Sequence, residues 1–333
     1  MQFIVVGAGA IGCYVGGRLA AGGRRVTLVG RPRGIAALAA NGLTVTDLDG
    51  FRAHVAPHRL HLATSLAQVR MTAQDALLLC EKGGATESAA LQIAACCPGG
   101  TAVVSLQNGV DNVARITAIA SAMKPMAGMV ACNVVMPSAI HVHRASAGLI
   151  YMARNTTTLE MALLMDACGL KTILPVDMRP VQWGKLLLNL NNPVNALSDL
   201  PLRSQLMDRD YRRVLAALQI EALAAMRAAG IRPAQVGAAP PGLLPHILGL
   251  PNWMFKALAA RMLRMDESAR SSMWDDLQQG RATEIDDLCG AVVRLGTQHG
   301  VATPHNGAMC RLISAHHRGE RLSGQDMRSA ALL

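Results

Sequence analysis

The sequence predicts an α/β domain, with a mostly parallel sheet and helices on both faces, followed by an all-α domain. Three observations carry this reading. Short, continuously apolar runs alternate with helix-like segments through the first half of the chain. Strands of that kind belong to parallel sheets covered on both sides. A glycine loop, Gly7-Ala8-Gly9-Ala10-Ile11-Gly12, stands between the first strand and the first helix. After Pro175–Pro180 the strand signals almost vanish and long helical periods take over. A length of 333 residues suits two domains, at ~150 residues each. The boundary is expected near Asp177, with domains over residues 1–177 and 178–333.

The elements follow in order. Gln2–Val6 reads as a strand, Ala10–Ala21 as a helix and Arg25–Val29 as a second strand. A helical piece at Ile35–Ala40 precedes a small hairpin, Thr44–Thr46 with Arg52–Ala56, turning at Asp49-Gly50. Asp75–Cys80 is a buried strand, Thr86–Ala95 a helix and Thr101–Leu106 another buried strand. Gln107-Asn108-Gly109 breaks the pattern before a helix at Val113–Ile119. Met126–Val135, Ile140–His143 and Leu149–Ala153 add strands of mixed direction. Helices are expected at Val181–Asn191, Tyr211–Ala229, Asn252–Arg264 and Glu284–His299, with Gly237–Pro251 a loop or a chain of short turns.

Composition narrows the partner class. At 51% hydrophobic and 16% charged residues, the chain has ample apolar surface for a packed core, which excludes disorder. The net charge of +10 asks for nucleic acid, a membrane or a phosphorylated small molecule, or reflects a solvated basic surface. Three Trp, three Tyr and three Phe cannot build base-stacking platforms. No block of five Lys/Arg occurs either, so nucleic acid is set aside. The eight cysteines form no Cys-x-x-Cys pair and read as small buried hydrophobes. His54, His58 and His61 mimic a helical metal face, but Pro57 interrupts it, and no metal site is expected. The N-terminus lacks the regions of a signal peptide, and no long apolar run exists. The expectation is a cytoplasmic chain with no membrane contact.

The glycine loop has the form Gly-x-Gly-x-x-Gly in the strand-to-helix context of a dinucleotide fingerprint. Gly7 permits the tight turn, Gly9 a close approach by the pyrophosphate, and Gly12 close packing of helix on strand. The helix N-terminus, from Ala10 and Ile11 onward, offers unpaired amides and partial positive charge to phosphates. An NAD-preferring site would place an acid at the end of the second strand. Here Val29-Gly30-Arg31-Pro32-Arg33 stands there, with no acid before Asp47. A guanidinium can grip a 2′-phosphate with a forked pair of bonds. NADP(H) is therefore the expected cofactor, with Arg31 the first candidate and Arg33 the second.

In the helical half, Trp183 to Leu197 is the most unusual stretch. At about 100° per residue, Lys185, Asn189 and Asn192 share one face, with Leu186, Leu187, Leu188 and Leu190 on the others. A polar stripe on a buried helix is costly unless it is satisfied. From the residues alone it is either a ligand site or an internally paired polar layer. A lysine there suits proton donation, since burial lowers an amine's pKa. A second cluster comprises Ser271-Ser272-Met273 and Thr283-Glu284-Ile285-Asp286. Ser272 could simply cap a helix, and Glu284 could be a first-turn acid.

Taken in order, Gly7–Gly12, Glu81-Lys82, Gln107-Asn108-Gly109, Trp183-Gly184-Lys185 with Asn189 and Asn192-Pro193, Ser271-Ser272-Met273, Thr283–Asp286 and Thr303-Pro304 resemble the ketopantoate reductases (2-dehydropantoate 2-reductases). The resemblance covers nearly the whole chain. It implies an N-terminal Rossmann domain, a helical C-terminal domain and a cleft between them. The implied activity is NADPH-dependent reduction of 2-dehydropantoate to (R)-pantoate, in pantothenate and coenzyme A synthesis, by a monomer or homodimer. Lys185 then matches the lysine that protonates the developing alkoxide. Asn108 matches an asparagine near nicotinamide and substrate, and Asn189 and Asn192 match substrate-binding asparagines. Ser272 matches the serine at the substrate carboxylate, Glu284 the glutamate that orders the nicotinamide end, and Lys82 a lysine near the cofactor. Arg31 matches the 2′-phosphate arginine. Two departures stand out. Pro193 occupies the offset of the family's second asparagine, so Asn192 comes one residue early, and Leu202 replaces a further substrate-contacting asparagine. A different 2-oxo acid is one alternative, and a catalytically silent NADPH-binding regulator another. A Tyr-x-x-x-Lys dehydrogenase is excluded, because Tyr14, Tyr151 and Tyr211 all lack the lysine.

Overall fold

The structure is a computed structural model that describes residues 1–259, 269–317 and 319–332. The chain divides into two compact units, Met1–Met178 and Arg179–Leu333.

In the first unit β1 (Phe3–Val6) leads into α1 (Ala10–Ala21), β2 (Val26–Val29) and α2 (Pro32–Asn41). The hairpin of β3 (Leu43–Asp47) and β4 (Arg52–Val55) follows, then β5 (His61–Ala63) and β6 (Ala76–Leu79). The alternation continues through α3 (Thr86–Cys96), β7 (Ala102–Ser105), α4 (Asn112–Ile119) and β8 (Lys124–Val130). The unit closes with β9 (Val134–Ser138), β10 (His141–Arg144), β11 (Ile150–Met152), α5 (Thr156–Asp166) and β12 (Thr172–Ile173).

The main sheet has the order β12-β11-β8-β7-β6-β1-β2-β5. The pairings among its six strands from β8 to β5 are parallel, and β11 runs antiparallel to β8. The apolar runs are explained by two cores. Phe3 and Val5 of β1 enter one, with Leu28 and Leu78, while Ile4 and Val6 enter the other, with Leu77 and Leu79. Helices α1 and α5 cover the first face, and α3 and α4 the second. Strand order reverses at β1, between β2 and β6. In such sheets the crevice beyond the carboxyl ends of the strands at this reversal receives ligands.

A second sheet, β4-β3-β10-β9, packs on α1 and shares its core through Leu43, Val45, Val55 and Val142. This sheet corrects one expectation. Met126–Val135 is two strands, because the chain must leave the main sheet after Val130 to pair β9 with β10. The turn is pinned where the Asn133 amide donates to Ser146 Oγ at 2.8 Å.

Buried charges bolt the second sheet to α1. Arg18 Nη1 lies 2.9 Å from Asp47 Oδ2, and Arg144 Nη2 lies 3.3 Å from the same oxygen and also pairs with Asp49. Arg144 Nε donates to the Tyr14 hydroxyl, and the Arg18 guanidinium stacks 3.6 Å over the Phe51 ring. Burial alone would raise the Asp47 carboxyl. The Phe51 amide and the Arg144 guanidinium more than offset this and hold it below the usual carboxylate range.

Among the described residues, the regular elements of the second unit are all helices. It comprises α6 (Arg179–Asn189), α7 (Asn191–Ser198), α8 (Leu202–Met207), α9 (Arg209–Ala228), α10 (Leu244–Gly249) and α11 (Asn252–Leu258), then α12 (Ser272–Gln278), α13 (Ile285–Gln298), α14 (Pro304–Ala315) and α15 (Gly324–Ala330). The expected helix Val181–Asn191 is thus one arm of a bent pair. Pro193 has no amide hydrogen to donate to the Asn189 carbonyl, so the helix breaks at Leu190. The expected loop Gly237–Pro251 contains α10, with Pro245 tolerated in its first turn. Of the expected helix Asn252–Arg264, residues 260–264 lie outside the described residues.

Replacing Asp47 by Asn leaves two buried guanidinium groups without their shared charge. The expected loss of unfolding free energy is about 3 kcal/mol, measured by urea titration at neutral pH. Because the folded carboxyl titrates below its unfolded value, its contribution is full above ~pH 4 and fades as pH falls through the folded pKa. The variant should lack that part of the acid limb.

Candidate active site

The sequence-predicted site residues fall into two groups, one in each unit. In the first unit β1 ends at Val6 and the chain turns at Gly7, whose φ of +105° disfavours any side chain. A Cβ there would lie 2.7 Å from the Glu81 amide nitrogen. At Gly12 a Cβ would overlap the Gly7 carbonyl oxygen, so only glycine lets α1 start this close to the strand. At Gly9 a Cβ would meet nothing within 4 Å. Gly9 is the N-cap of α1, with no side-chain cap and no acid in the first turn. Ala8, Ala10 and Ile11 complete the loop. A bare helix N-terminus facing open space fits a dinucleotide pyrophosphate.

Arg31 is exposed at the end of β2, as N-cap of α2, and Pro32 opens that helix. Glu81 follows β6 and is the carboxylate electrostatically coupled to Arg31. Burial raises the Glu81 carboxyl, and the Arg31 charge offsets part of that rise. Lys82 is exposed beside it, and Asn108 is half-buried after β7. Gly109, at φ +96°, makes the turn that follows. The Asn108 carbonyl accepts 2.7 Å from Asn112 Nδ2.

In the second unit Lys185, Leu188, Asn189 and Asn192 are half-buried, while Leu186, Leu187, Leu190 and Val194 are buried. The Leu190 amide donates to the Leu186 carbonyl at 3.0 Å, and Leu190, between the two helices, keeps right-handed helical dihedrals (φ −59°, ψ −13°). The polar stripe therefore continues from Lys185 to Asn192. Leu188 departs from expectation: it lies on the same open side, packed against Gly237, where a Cβ would be 3.1 Å away. Gly184 lets the Ala234 carbonyl approach α6, where a Cβ would overlap it, and the Ala234 amide donates to the Pro180 carbonyl at 2.7 Å.

The serine pair is brought to this stripe by a residue that sequence reasoning left without a role. Asn195 is fully buried on α7. Its Oδ1 accepts from the Ser271 amide at 2.8 Å, and its Nδ2 donates to the Leu200 carbonyl at 2.9 Å. Ser271 Oγ donates to the Asn192 carbonyl and accepts from the Trp274 amide, both at 3.2 Å. The N-cap of α12 is thus Ser271, not Ser272, which is exposed at the first helical position. Glu284 is the half-buried N-cap residue of α13, but its side chain does not cap, and Asp286 and Asp287 supply the first-turn acids. Side-chain capping therefore explains neither Ser272 nor Glu284. Among the described residues no cluster could hold a metal ion, and no helix is long and apolar enough to cross a membrane.

The family models of ketopantoate reductase PanE/ApbA and of its C-terminal domain match residues 3–156 and 177–317. The chain belongs to the ketopantoate reductase family. This is a family of nicotinamide-dependent oxidoreductases. The chain is 26% identical to the 2-dehydropantoate 2-reductase of Pyrococcus horikoshii, over 95% of this chain and 97% of that one. It is 29% identical to the enzyme of that name from Mesorhizobium japonicum, over 94% and 97%. Among solved structures, a PanE/ApbA family ketopantoate reductase from Ralstonia eutropha superposes with a TM-score of 0.79 at 27% identity, covering 94% of this chain and 97% of that one. A D-mandelate dehydrogenase with NADH and anilino(oxo)acetate shares the fold at a TM-score of 0.77 and 19% identity, over 95% and 98%.

Asn195→Ala should lower unfolding free energy by about 2 kcal/mol, since it leaves the buried Ser271 amide and Leu200 carbonyl without partners. Urea denaturation of the purified variant against wild type measures this.

Proposed function

We propose that the protein reduces 2-dehydropantoate to (R)-pantoate with NADPH, and that Lys185 is the general acid. The observation that carries this reading is the half-open stripe of Lys185, Asn189 and Asn192 beside the buried Leu186, Leu187 and Leu190, with the Ser271-Ser272 turn docked onto it. The names of the relatives support the substrate. Bound NADPH supplies the hydride that reduces the ketone.

This chain's own residues do the rest. Negative charge grows on the carbonyl oxygen as the ketone is reduced. The Lys185 ammonium meets that charge with a charge-assisted hydrogen bond and gives up its proton, leaving a neutral amine and the product hydroxyl. Asn189 and Asn192 hydrogen-bond the substrate's polar groups, and Ser272 takes its carboxylate end. Holding the substrate in one pose contributes much of the rate enhancement. Gly7 to Gly12 hold the pyrophosphate, Arg31 the 2′-phosphate, and Lys82, Asn108 and Glu284 the nicotinamide side.

A second reading, another branched 2-oxo acid, is favoured by two features of the pocket-forming sequence. Asn192 sits one position early in a helix bent at Leu190, and Leu202 opens α8 where a polar contact would otherwise stand. A panel of 2-oxo acids assayed with NADPH separates the two.

Lys185→Ala should lower kcat by ~100-fold or more, with NADPH affinity unchanged. An unaltered kcat with 2-dehydropantoate would refute the assignment. Wild type should prefer NADPH to NADH in kcat/KM, and Arg31→Ala should erase most of that preference by weakening NADPH alone. Initial rates followed by loss of reduced nicotinamide absorbance check both.

A further inference from the structure

Beneath Lys82 and Asn108 runs a line of buried polar side chains that neither capping nor sheet pairing requires. Ser105 Oγ donates to Gln107 Oε1 at 2.9 Å. Gln107 Nε2 donates to Thr86 Oγ1 at 2.9 Å and reaches the Lys82 carbonyl at 3.4 Å. Thr86 Oγ1 donates to Asn112 Oδ1 at 3.1 Å, and Asn112 Nδ2 donates to the Asn108 carbonyl at 2.7 Å. Ser105, Gln107, Thr86 and Asn112 are exposed by 3%, 5%, 0% and 2%. Bulk water is not on hand to replace a missing partner.

The line has one direction. A threonine hydroxyl carries a single proton, so Thr86, accepting from Gln107, must give its proton to the bond with Asn112. That orients the Asn112 amide with its NH2 toward the Asn108 carbonyl. Reversing any member sets donor against donor or acceptor against acceptor in a buried place, which is costly. A fully satisfied buried network of this kind specifies one arrangement. This one joins the loops that follow β6 and β7, neighbouring strands beside the point where strand order reverses.

We infer that Thr86, Gln107 and Asn112 are positioning residues that set the backbone of Lys82 and Asn108, and through it their aim at the nicotinamide half of the cofactor. The inference rests on the dinucleotide reading proposed above. It differs from a packing role in its consequence: the geometry of two cofactor-side groups, and not only stability, depends on the Thr86 hydroxyl.

Thr86→Val keeps the shape and removes both hydrogen bonds, whereas Thr86→Ser keeps the hydroxyl. We expect Thr86→Val to lower kcat/KM for NADPH by about tenfold or more and to weaken NADPH binding measured by titration calorimetry. Thr86→Ser should restore most of both. Asn112→Ala should resemble Thr86→Val, and the double variant should be little worse than either, because both changes cut the same line. All assays run well below each variant's Tm. A Thr86→Val protein with lowered Tm but wild-type kcat/KM and NADPH affinity would overturn the inference and leave a structural role alone. If wild type binds NADPH without reducing 2-dehydropantoate, the substrate reading fails, while the affinities still decide this inference. If wild type binds neither NADPH nor NADH, both fail together.

Discussion

The first unit depends on how closely α1 can approach the sheets on either side of it. At Gly12 the helix meets the Gly7 carbonyl, and at Gly16 a Cβ would lie 2.6 Å from Leu28 Cδ2 of the main sheet. On its other side, at Gly17, a Cβ would lie 2.5 Å from Val45 Cγ2 of the second sheet. A methyl group at these positions would push the helix off one layer or the other, in an interior packed as densely as a crystal. The close approach also delivers the first turn of α1, uncapped, to the carboxyl end of β1. Gly12, Gly16 and Gly17 let the layers close, and Gly9, an N-cap without a side chain, leaves the first amides of the helix bare.

The two units use the same device to hold their candidate functional groups. Groups that would touch a ligand, Asn108 in one and Lys185, Asn189 and Asn192 in the other, are half-buried. Immediately behind them stand fully buried amides: Asn112 behind the Asn108 carbonyl, and Asn195 behind the Ser271 amide and beside Asn192. Gln219 Nε2 also donates to the Leu187 carbonyl at 3.0 Å, tying α6 to α9, although its Oε1 is buried without a hydrogen-bond partner. Buried amides with satisfied partners fix backbone geometry, which leaves the half-open side chains few ways to be misplaced.

Much of the architecture was legible because the apolar runs have a simple cause. Every residue of β1 faces one core or the other, so Phe3–Val6 carries no polar position. The glycine loop and the Lys185 stripe were legible through spacing, which a helix or turn converts directly into geometry. Where spacing is silent, reading stopped. Strands β5 and β12 have three and two residues, too few to show a period. In α5, Leu159 and Leu163 are exposed while Met161, Ala162 and Met165 are buried, so its apolar residues ring the helix and mark no face. Adjacent hydroxyls at 271 and 272 offered no way to tell a cap from a contact. The network behind Asn108 joins Thr86 to residues 21 and 26 positions away, a separation over which local pattern carries nothing.

The net charge shows how an aggregate property can mislead about a partner. A balance of +10 invites an anionic ligand. Yet three of the most deeply placed arginines serve the interior. Arg18 and Arg144 grip Asp47 between layers. Arg212, fully buried, donates to the carbonyls of Leu206, Leu248 and Leu250 and to Asn252 Oδ1, and stacks over Phe255. Carbonyl dipoles and an aromatic face meet its charge, and burial lowers its pKa against the opposing pull of the Asp208 carboxylate. A cation held by backbone carbonyls adds to the net charge without adding an anion-binding surface. On the NADPH reading, a phosphate would meet one guanidinium, Arg31 at the end of β2, together with the carboxylate that shares its field, Glu81. A dinucleotide's 2′-phosphate would have to compete with Glu81 for that arginine.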